Sequence, residues 1–390
     1  MGIFETLQGV INDKMFNGSS AKESSIEDVL NNIKAQVDLW ENTEVKIAVT
    51  GQSGSGKSSL INAIAGSKIA PVGFVETTME PKEYKTENGI ILVDLPGCGT
   101  ANFPFESYVN DMKLSEFDAI ILVTANRFYE ADIKLFNYVT NELKKPIFLV
   151  RTKMDDAVRD GAEDNDLSRD EVIEMVLNDM IHNTDVSDIS KIYLVSSKPK
   201  QIAHFDTARL IKDISENLPN IKKGKFISES AAYSEDAIKA KRETITEVAK
   251  RYAYLSAANG LNPVLGVNVA FDVGLLVKLT QTVLKSYGLV DSSIADYIKK
   301  SEESGKLHGT IQGISKWLAQ YATEAGIKQI LPKLAVAQAS KSFSSWVPLV
   351  GQAIAAGIGY KMTSYYAEKL INESEEKAIL ALKLYIGEQY

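Results

Sequence analysis

The sequence predicts an α/β fold: a doubly wound, mostly parallel sheet with helices on both faces, beside an all-α domain built from both termini. Three observations predict it. A glycine-rich loop, Gly51-Gln-Ser-Gly-Ser-Gly-Lys-Ser58, stands between an apolar β-type run, Val45–Thr50, and a helical pattern in which Leu60, Ile61 and Ile64 are apolar. Apolar runs recur at Ile90–Asp94, Ala119–Ala125, Ile147–Thr152 and Ile192–Ser196, with helix-like segments between most of them. Continuous apolar strands alternating with helices mean a parallel sheet covered on both sides. After about residue 220 the strand signal stops, and long helical patterns follow, broken near Asn259-Gly260, Tyr287-Gly288, Ser304-Gly305 and Leu331-Pro332. The expected divisions are an N-terminal helical segment over 1–42, the α/β domain over 43–220 and a C-terminal helical domain over 221–390.

In chain order, the start Met1-Gly2-Ile-Phe-Glu-Thr6 satisfies the N-myristoylation pattern, a match short enough to arise by chance. No secretory signal peptide is expected. Residues 17–25 read as a loop, and Ser24 with Glu27 makes a capping box. Ile26, Val29, Leu30, Ile33, Val37 and Trp40 follow at helical spacing, an apolar stripe that needs another helical surface to cover it.

The loop at 51–58 fits G-x-x-x-x-G-K-[ST] at every fixed position and sits in the strand–loop–helix context that this P-loop motif needs. Its glycines let the backbone turn N–H groups toward a phosphate chain, and the helix that starts there adds its positive end. Gly51, Ser53, Gly54, Ser55, Gly56, Lys57, Ser58 and Ser59 are the candidate phosphate-binding positions. Lys57 reaches for the β- and γ-phosphates and so counts as catalytic, while the Ser58 hydroxyl is a Mg²⁺ ligand.

Three further motifs fall at later strand ends, where ligands of such sheets collect. Asp94-Leu-Pro-Gly97 follows the second apolar run, with Asp94 placed for Mg²⁺ and the Gly97 N–H for the γ-phosphate. Thr152-Lys153-Met-Asp155 matches the base-reading pattern [NT]-K-x-D. Asp155 can accept from guanine N1–H and N2–H₂, whereas adenine lacks the exocyclic donor at that edge and would leave a buried carboxylate unpaired. The Lys153 stem packs on the ring. Ser196-Ser197-Lys198 is similar to the S-A-K motif that lines the base. Singly these motifs are weak; four in this order predict a GTP/GDP site with Mg²⁺. Cys98 stands where many small GTPases place a water-orienting Gln, and a thiol is a poor substitute. A small semi-buried side chain and a reactive thiol are its two readings.

Composition sets limits. The 390 residues suffice for two or three domains, and 45% apolar with 24% charged residues is ordinary for a globular protein. A net charge of −8 without a long basic run argues against a broad nucleic-acid surface, and no nucleic-acid partner is expected. The single cysteine, Cys98, excludes an intrachain disulfide and favours a reducing, cytoplasmic location. His182, His204 and His308 lack metal-ligand spacing.

Several runs resemble the immunity-related GTPases: Gly73-Phe-Val-Glu76-Thr-Thr78-Met-Glu80, Asp94–Pro104, Thr124-Ala-Asn-Arg127-Phe, Asn262–Asp272 and Val347–Gly351. The resemblance covers nearly the whole chain. It implies a dynamin-like GTPase that associates with membranes peripherally and self-assembles through its nucleotide face when GTP is bound. By position it implies that Thr78 is a Mg²⁺ ligand, that Glu76 is the acid for hydrolysis in the dimer, and that Arg127 lies at the dimer contact. Tyr129 and Glu130 depart from positions that are often basic in that family. The scarcity of cysteine fits a prokaryotic source, and the fold can occur without interferon biology. A nucleotide switch that recruits a partner with little turnover is the alternative reading. A ribosome-assembly GTPase would share the four motifs, but the acidic balance and helical tail argue against it.

The charge-free stretches Tyr252–Phe271 and Ser342–Tyr360 are long enough for a membrane span, yet their Pro, Gly and polar residues favour buried helical core. Each holds Pro-x-x-Gly followed by small residues every fourth position: Gly266, Ala270, Gly274 and Gly351, Ala355, Gly359. Such ridges let helix backbones approach, and the expectation is two helices packed ridge to ridge under Ile33, Val37 and Trp40.

Overall fold

The structure, a computed structural model, describes residues 23–72, 80–87, 89–184, 186, 188–260, 267–303, 309–321, 323, 325–327, 329 and 351–387; at 23–30, 189, 258–260, 267–273 and 351–359 it describes the backbone alone. The chain divides into two compact units. One comprises Thr43–Ile238, Ser292–Ile294 and Leu382–Tyr390; the other comprises Met1–Asn42, Lys239–Asp291 and Ala295–Ala381.

The first unit is built on a six-stranded sheet of order β2-β3-β1-β4-β5-β6. The strands are β1 (Val45–Thr50), β2 (Lys82–Lys85), β3 (Ile90–Asp94), β4 (Ala119–Thr124), β5 (Ile147–Arg151) and β6 (Ile192–Leu194). Val45 pairs with Ile90 and Ile47 with Ala119, both in parallel register, as are the β4–β5 and β5–β6 pairs. Alternate residues feed two cores. Val45, Ile47 and Val49 pack with Leu60, Ile61 and Ile64 of α2 (Lys57–Ala65) and with Leu210 and Ile214 of α7 (Thr207–Glu216). Ala48, Ile91 and Ile120 face the other way, against Tyr108 of α3 (Phe105–Asp111), Leu135 of α4 (Glu130–Tyr138), Met154 of α5 (Met154–Asn165) and Met180 of α6 (Arg169–Thr184). A sheet buried on both faces has no polar face to show, so its strands read as unbroken apolar runs.

β2 is the exception. It runs antiparallel to β3, with Lys82 opposite Asp94, and its sequence Lys-Glu-Tyr-Lys is mostly exposed. An edge strand bonded on one side needs no apolar run, and charged side chains deter edge-to-edge pairing. The expectation of a mostly parallel sheet therefore holds, with one strand that hydrophobic patterning could not reveal. α8 (Asn220–Glu229) completes the unit, with Phe226 in the core shared by β1 and α2.

The second unit is helical: α1 (Glu23–Asn42), most of α9 (Glu235–Gly260), α10 (Val267–Ser286), α11 (Ser293–Glu303), α12 (Gly309–Tyr321) and α13 (Gly351–Ile386). Ile33 and Val37 of α1 bury against Tyr254, Leu255, Leu275 and Tyr360. Trp40 stacks under Arg251, 4.8 Å from its ring centroid, and Glu41 pairs with Lys278 at 2.5 Å. The α1 stripe thus finds the helical surface it needs. Helix α10 meets α13 through Thr280 Oγ1 and Tyr366 Oη, 2.6 Å apart. Trp317 and Tyr321 of α12 both donate to Glu373, at 2.7 and 2.9 Å.

The small-residue ridge is corrected at Gly274. That residue is exposed, and a methyl there would meet nothing within 4 Å among the described residues. Spacing shows that small residues share a face but not which way the face points. Gly266, Asn88, Asp185, Ser187 and residues 73–79, which include Glu76 and Thr78, lie outside the described residues, and Ala270, Gly351, Ala355 and Gly359 are described for their backbone alone. Tyr252–Ala257, the start of the first charge-free stretch, is buried, as core helix requires. Among the described residues, no helix is long and apolar enough to cross a membrane.

Candidate functional site

The loops that follow β1, β3, β4, β5 and β6 gather at one edge of the sheet, since all five strands run the same way. The first is the loop at 51–56. Gly51 has φ +141°, and a methyl on it would lie 2.0 Å from the Val123 carbonyl oxygen. Gly54 and Gly56, at φ +75° and +89°, are also left-handed, a region L side chains rarely enter. Ser55 N–H closes the loop onto Gln52 O at 3.2 Å, while the N–H groups of Gly54 and Gly56 make no hydrogen bond among the described residues. The turn leaves two backbone donors unused, as a loop that wraps an anion requires.

Lys57 opens α2 and is buried. Its ammonium donates to Gly51 O at 2.8 Å and Gln52 O at 3.3 Å, and lies 3.9 Å from Asp94 Oδ1. Burial lowers its pKa, and the Asp94 charge opposes that shift. Ser58 Oγ donates to Asp94 Oδ2 at 3.3 Å, so a hydroxyl and a carboxylate from two motifs share one spot. Ser53 is exposed, Ser59 is half-buried, and Ser55 Oγ is buried with no hydrogen-bond partner among the described residues.

At the other end of the site, Thr152 Oγ1 bonds to Ser55 O and lies 3.2 Å from Thr124 O, tying the β5 loop to the β1 and β4 loops. Lys153 turns the chain through φ +56° into α5 and is exposed. Asp155 follows with 7% of its side chain exposed. Ser196 Oγ donates to its Oδ1 at 2.7 Å, and Lys198 Nζ lies 2.6 Å from its Oδ2. Lys198 also holds Asp156 at 2.7 Å, and Asp156 in turn bonds Arg159 at 2.9 Å. Lys198 keeps the Asp156 carboxyl below the usual carboxylate range, and the two aspartates raise the lysine. Ser197 is half-buried between them in sequence.

The loop after β3 carries Gly97 and Cys98, both buried. Burial, with Asp132 nearby, pushes the Cys98 thiol up to about 12, so it stays protonated at neutral pH. Of its two sequence readings, the small buried side chain stands and the reactive thiol falls. Arg127 is exposed after β4; its carbonyl accepts from Thr124 Oγ1 at 2.7 Å, and its guanidinium lies 5.6 Å from the Tyr129 ring centroid. Tyr129 is 48% exposed.

The structure thus gathers Lys57, Ser58, Asp94 and Gly97 at one end and Thr152, Asp155, Ser196 and Lys198 at the other. Motif reading passed over Gln52, Thr50, Tyr108 and Asp156. Gln52 fills a free position of the loop motif, and Tyr108 lies outside every motif, in α3, so nothing in the pattern marked either.

A family model described as "Interferon-inducible GTPase (IIGP)" matches residues 12–383. The chain is 27% identical over 377 residues to mouse interferon-gamma-inducible GTPase 10, covering 94% of this chain and 87% of that protein. It is 26% identical over 354 residues to rat interferon-inducible GTPase 5, covering 87% and 75%. It is 30% identical over 301 residues to mouse T-cell-specific guanine nucleotide triphosphate-binding protein 2, covering 73% and 69%. With the loops at 51–58 and 152–155 on one sheet edge, and a family match that runs through the helical unit as well, this chain belongs to the interferon-inducible GTPase family.

Proposed function

We propose that this protein binds GTP with Mg²⁺, hydrolyses it to GDP and phosphate, and does so faster as a dimer formed through its nucleotide face. The observation that carries the reading is Asp155: a carboxylate with 7% of its side chain exposed, held by Ser196, on a loop that Thr152 ties to the phosphate loop. Its two oxygens suit the N1–H and N2–H₂ donors that guanine has and adenine lacks, and a buried acceptor left unpaired costs about 1–3 kcal/mol. The phosphate end fits as well. The positive φ of Gly51, Gly54 and Gly56 shapes the turn, and the N–H groups of Gly54 and Gly56 make no hydrogen bond among the described residues, so they stand available to a phosphate chain. Ser58 and Asp94, already 3.3 Å apart, would hold Mg²⁺ together with Thr78, which the family resemblance assigns. The metal would neutralise charge on the phosphates.

Self-association is supported by the family and by what position 98 lacks. Cys98 is buried and protonated, and it presents no amide to orient water. Glu76 is the acid we assign to that task by resemblance, and Arg127, exposed after β4, is the candidate dimer contact. Peripheral membrane association is proposed on the same ground.

The missing amide also favours a second reading, a slow nucleotide switch that recruits a partner. Specific activity measured across a dilution series spanning the dimer dissociation constant separates the two. The dimer mechanism predicts activity that climbs with protein concentration, and a Glu76→Ala variant that binds GTP normally yet turns over slowly. Flat and slow turnover at every concentration would leave the switch.

A further inference from the structure

Gly97 is the residue whose N–H faces the γ-phosphate in the proposed reading. It is buried, and its N–H takes part in no hydrogen bond among the described residues. Yet both of its neighbours are fixed. On one side, the Pro96 carbonyl accepts from Tyr108 Oη at 2.6 Å and lies 3.2 Å from Thr50 Oγ1. Thr50 and Tyr108 are themselves 2.5 Å apart, and both are fully buried. Each hydroxyl has one proton. With the Tyr108 proton on Pro96 O, Thr50 donates to Tyr108 Oη or to the same carbonyl, so the three oxygens close on one another. On the other side, Gln52 Nε2 donates to Cys98 O at 3.1 Å. A methyl at Gly97 would lie 3.0 Å from Gly51 O and 3.2 Å from Gln52 Cα, so this backbone rests on the start of the phosphate loop. Downstream, Gly99 N–H bonds Phe103 O at 2.8 Å, and Gly99 backs onto Ala131, whose Cβ a methyl there would approach to 2.2 Å.

We propose that Gln52, Thr50 and Tyr108 are positioning residues that clamp the carbonyls of Pro96 and Cys98, the residues on either side of Gly97, and so hold the Gly97 N–H ready for the terminal phosphate of a nucleoside triphosphate. Gln52 grips Cys98 O from the phosphate loop, and the Thr50–Tyr108 pair grips Pro96 O from the end of β1 and from α3. A backbone donor fixed before the ligand arrives does not have to be ordered on binding, and that saving acts only on a ligand that has a third phosphate. The clamp therefore tunes the preference for triphosphate over diphosphate, through residues that touch neither.

This inference rests on the proposed GTP reading. Its test is calorimetric titration of a non-hydrolysable GTP analogue and of GDP into the unaltered full chain and into Gln52→Ala, Gln52→Glu and Tyr108→Phe. Each variant should lose about three- to tenfold in the analogue-to-GDP affinity ratio while GDP affinity holds, the scale of one net hydrogen bond. Gln52→Glu keeps the size but cannot donate to Cys98 O, so it should match Gln52→Ala. The Gln52→Ala/Tyr108→Phe double variant should lose less than the product of the single losses, because both act on Gly97. A purely structural role would weaken both nucleotides together or lower the melting temperature alone, and either result overturns the clamp, as does an unchanged ratio. If Tyr108→Phe fails to fold, Gln52, half-buried in a loop, decides alone. An unaltered chain that binds neither nucleotide defeats the GTP reading and the clamp with it, whereas tight binding with an unchanged ratio defeats only the clamp.

Discussion

At the phosphate end of the site the fixing groups are mostly backbone: Lys57 bonds the carbonyls of Gly51 and Gln52, and three left-handed glycines shape the turn. At the base end they are side chains: Ser196 and Lys198 hold Asp155, and Lys198 shares itself with Asp156. A backbone cradle reads what every nucleotide has in common, and substitution can reach it mainly through the glycines and the lysine. In the proposed reading, the side-chain cradle distinguishes one base from another, and single substitutions can retune it. The two ends should therefore answer mutation differently: loss of folding or of all nucleotide binding at one, altered selectivity at the other.

The largest effect is expected at Gly51. Gly51→Ala drives a methyl to 2.0 Å from the Val123 carbonyl and forces an L residue to φ +141°, which should cost about 3 kcal/mol or more. Thermal melting and nucleotide titration should both collapse, and a variant that melts and binds like the parent would break the comparison. Asp155→Asn should weaken GTP by about 2–5 kcal/mol, as for truncating a buried charged partner, while folding holds. It should bind xanthosine triphosphate instead, because the C2 oxygen of that base suits an amide donor. If GTP affinity stays the same in calorimetry, Asp155 does not read the base.

Gly274 sharpens the contrast from the helical unit. It is exposed, with no described atom in the way of a methyl, so Gly274→Ala should stabilise by about 0.5–1 kcal/mol through helix propensity, raising the urea midpoint. Gly51 and Gly274 are the same residue type with opposite demands, and destabilisation by Gly274→Ala would mean a packed ridge after all. The smallest effect is expected at Lys198. Its side chain is 56% exposed, and it competes with incoming base donors for Asp155, so Lys198→Met should tighten GTP by less than about 1 kcal/mol. A large loss in fluorescence titration would show instead that Lys198 contacts the nucleotide.

Much of the sheet unit was legible because its physics is periodic. Ile90–Asp94 and Ala119–Thr124 are buried on both faces and read as unbroken apolar runs, and each motif sits where its strand ends. Lys82–Lys85 was not legible, since an exposed edge strand takes its bonds from β3 and needs no apolar pattern. Lys57 and Ser58 meet Asp94, and Ser196 meets Asp155, each group joining motifs read at separate strand ends. The Thr50–Tyr108–Pro96 contact was hidden because it joins residues 58 apart through hydroxyls that no motif demands. In the helical unit, Ile33 and Val37 were readable as a stripe seeking cover, whereas Gly274 was misread because a ridge of small residues carries no sign of direction.

The central claim is that a backbone-built phosphate cradle is coupled to a carboxylate that selects guanine. Calorimetric titration of the unaltered protein with GTP and with ATP, in the presence of Mg²⁺, tests it most directly. The account predicts GTP binding with ATP weaker by about 2 kcal/mol or more, since adenine leaves the Asp155 carboxylate unpaired. ATP binding as tightly as GTP would contradict it.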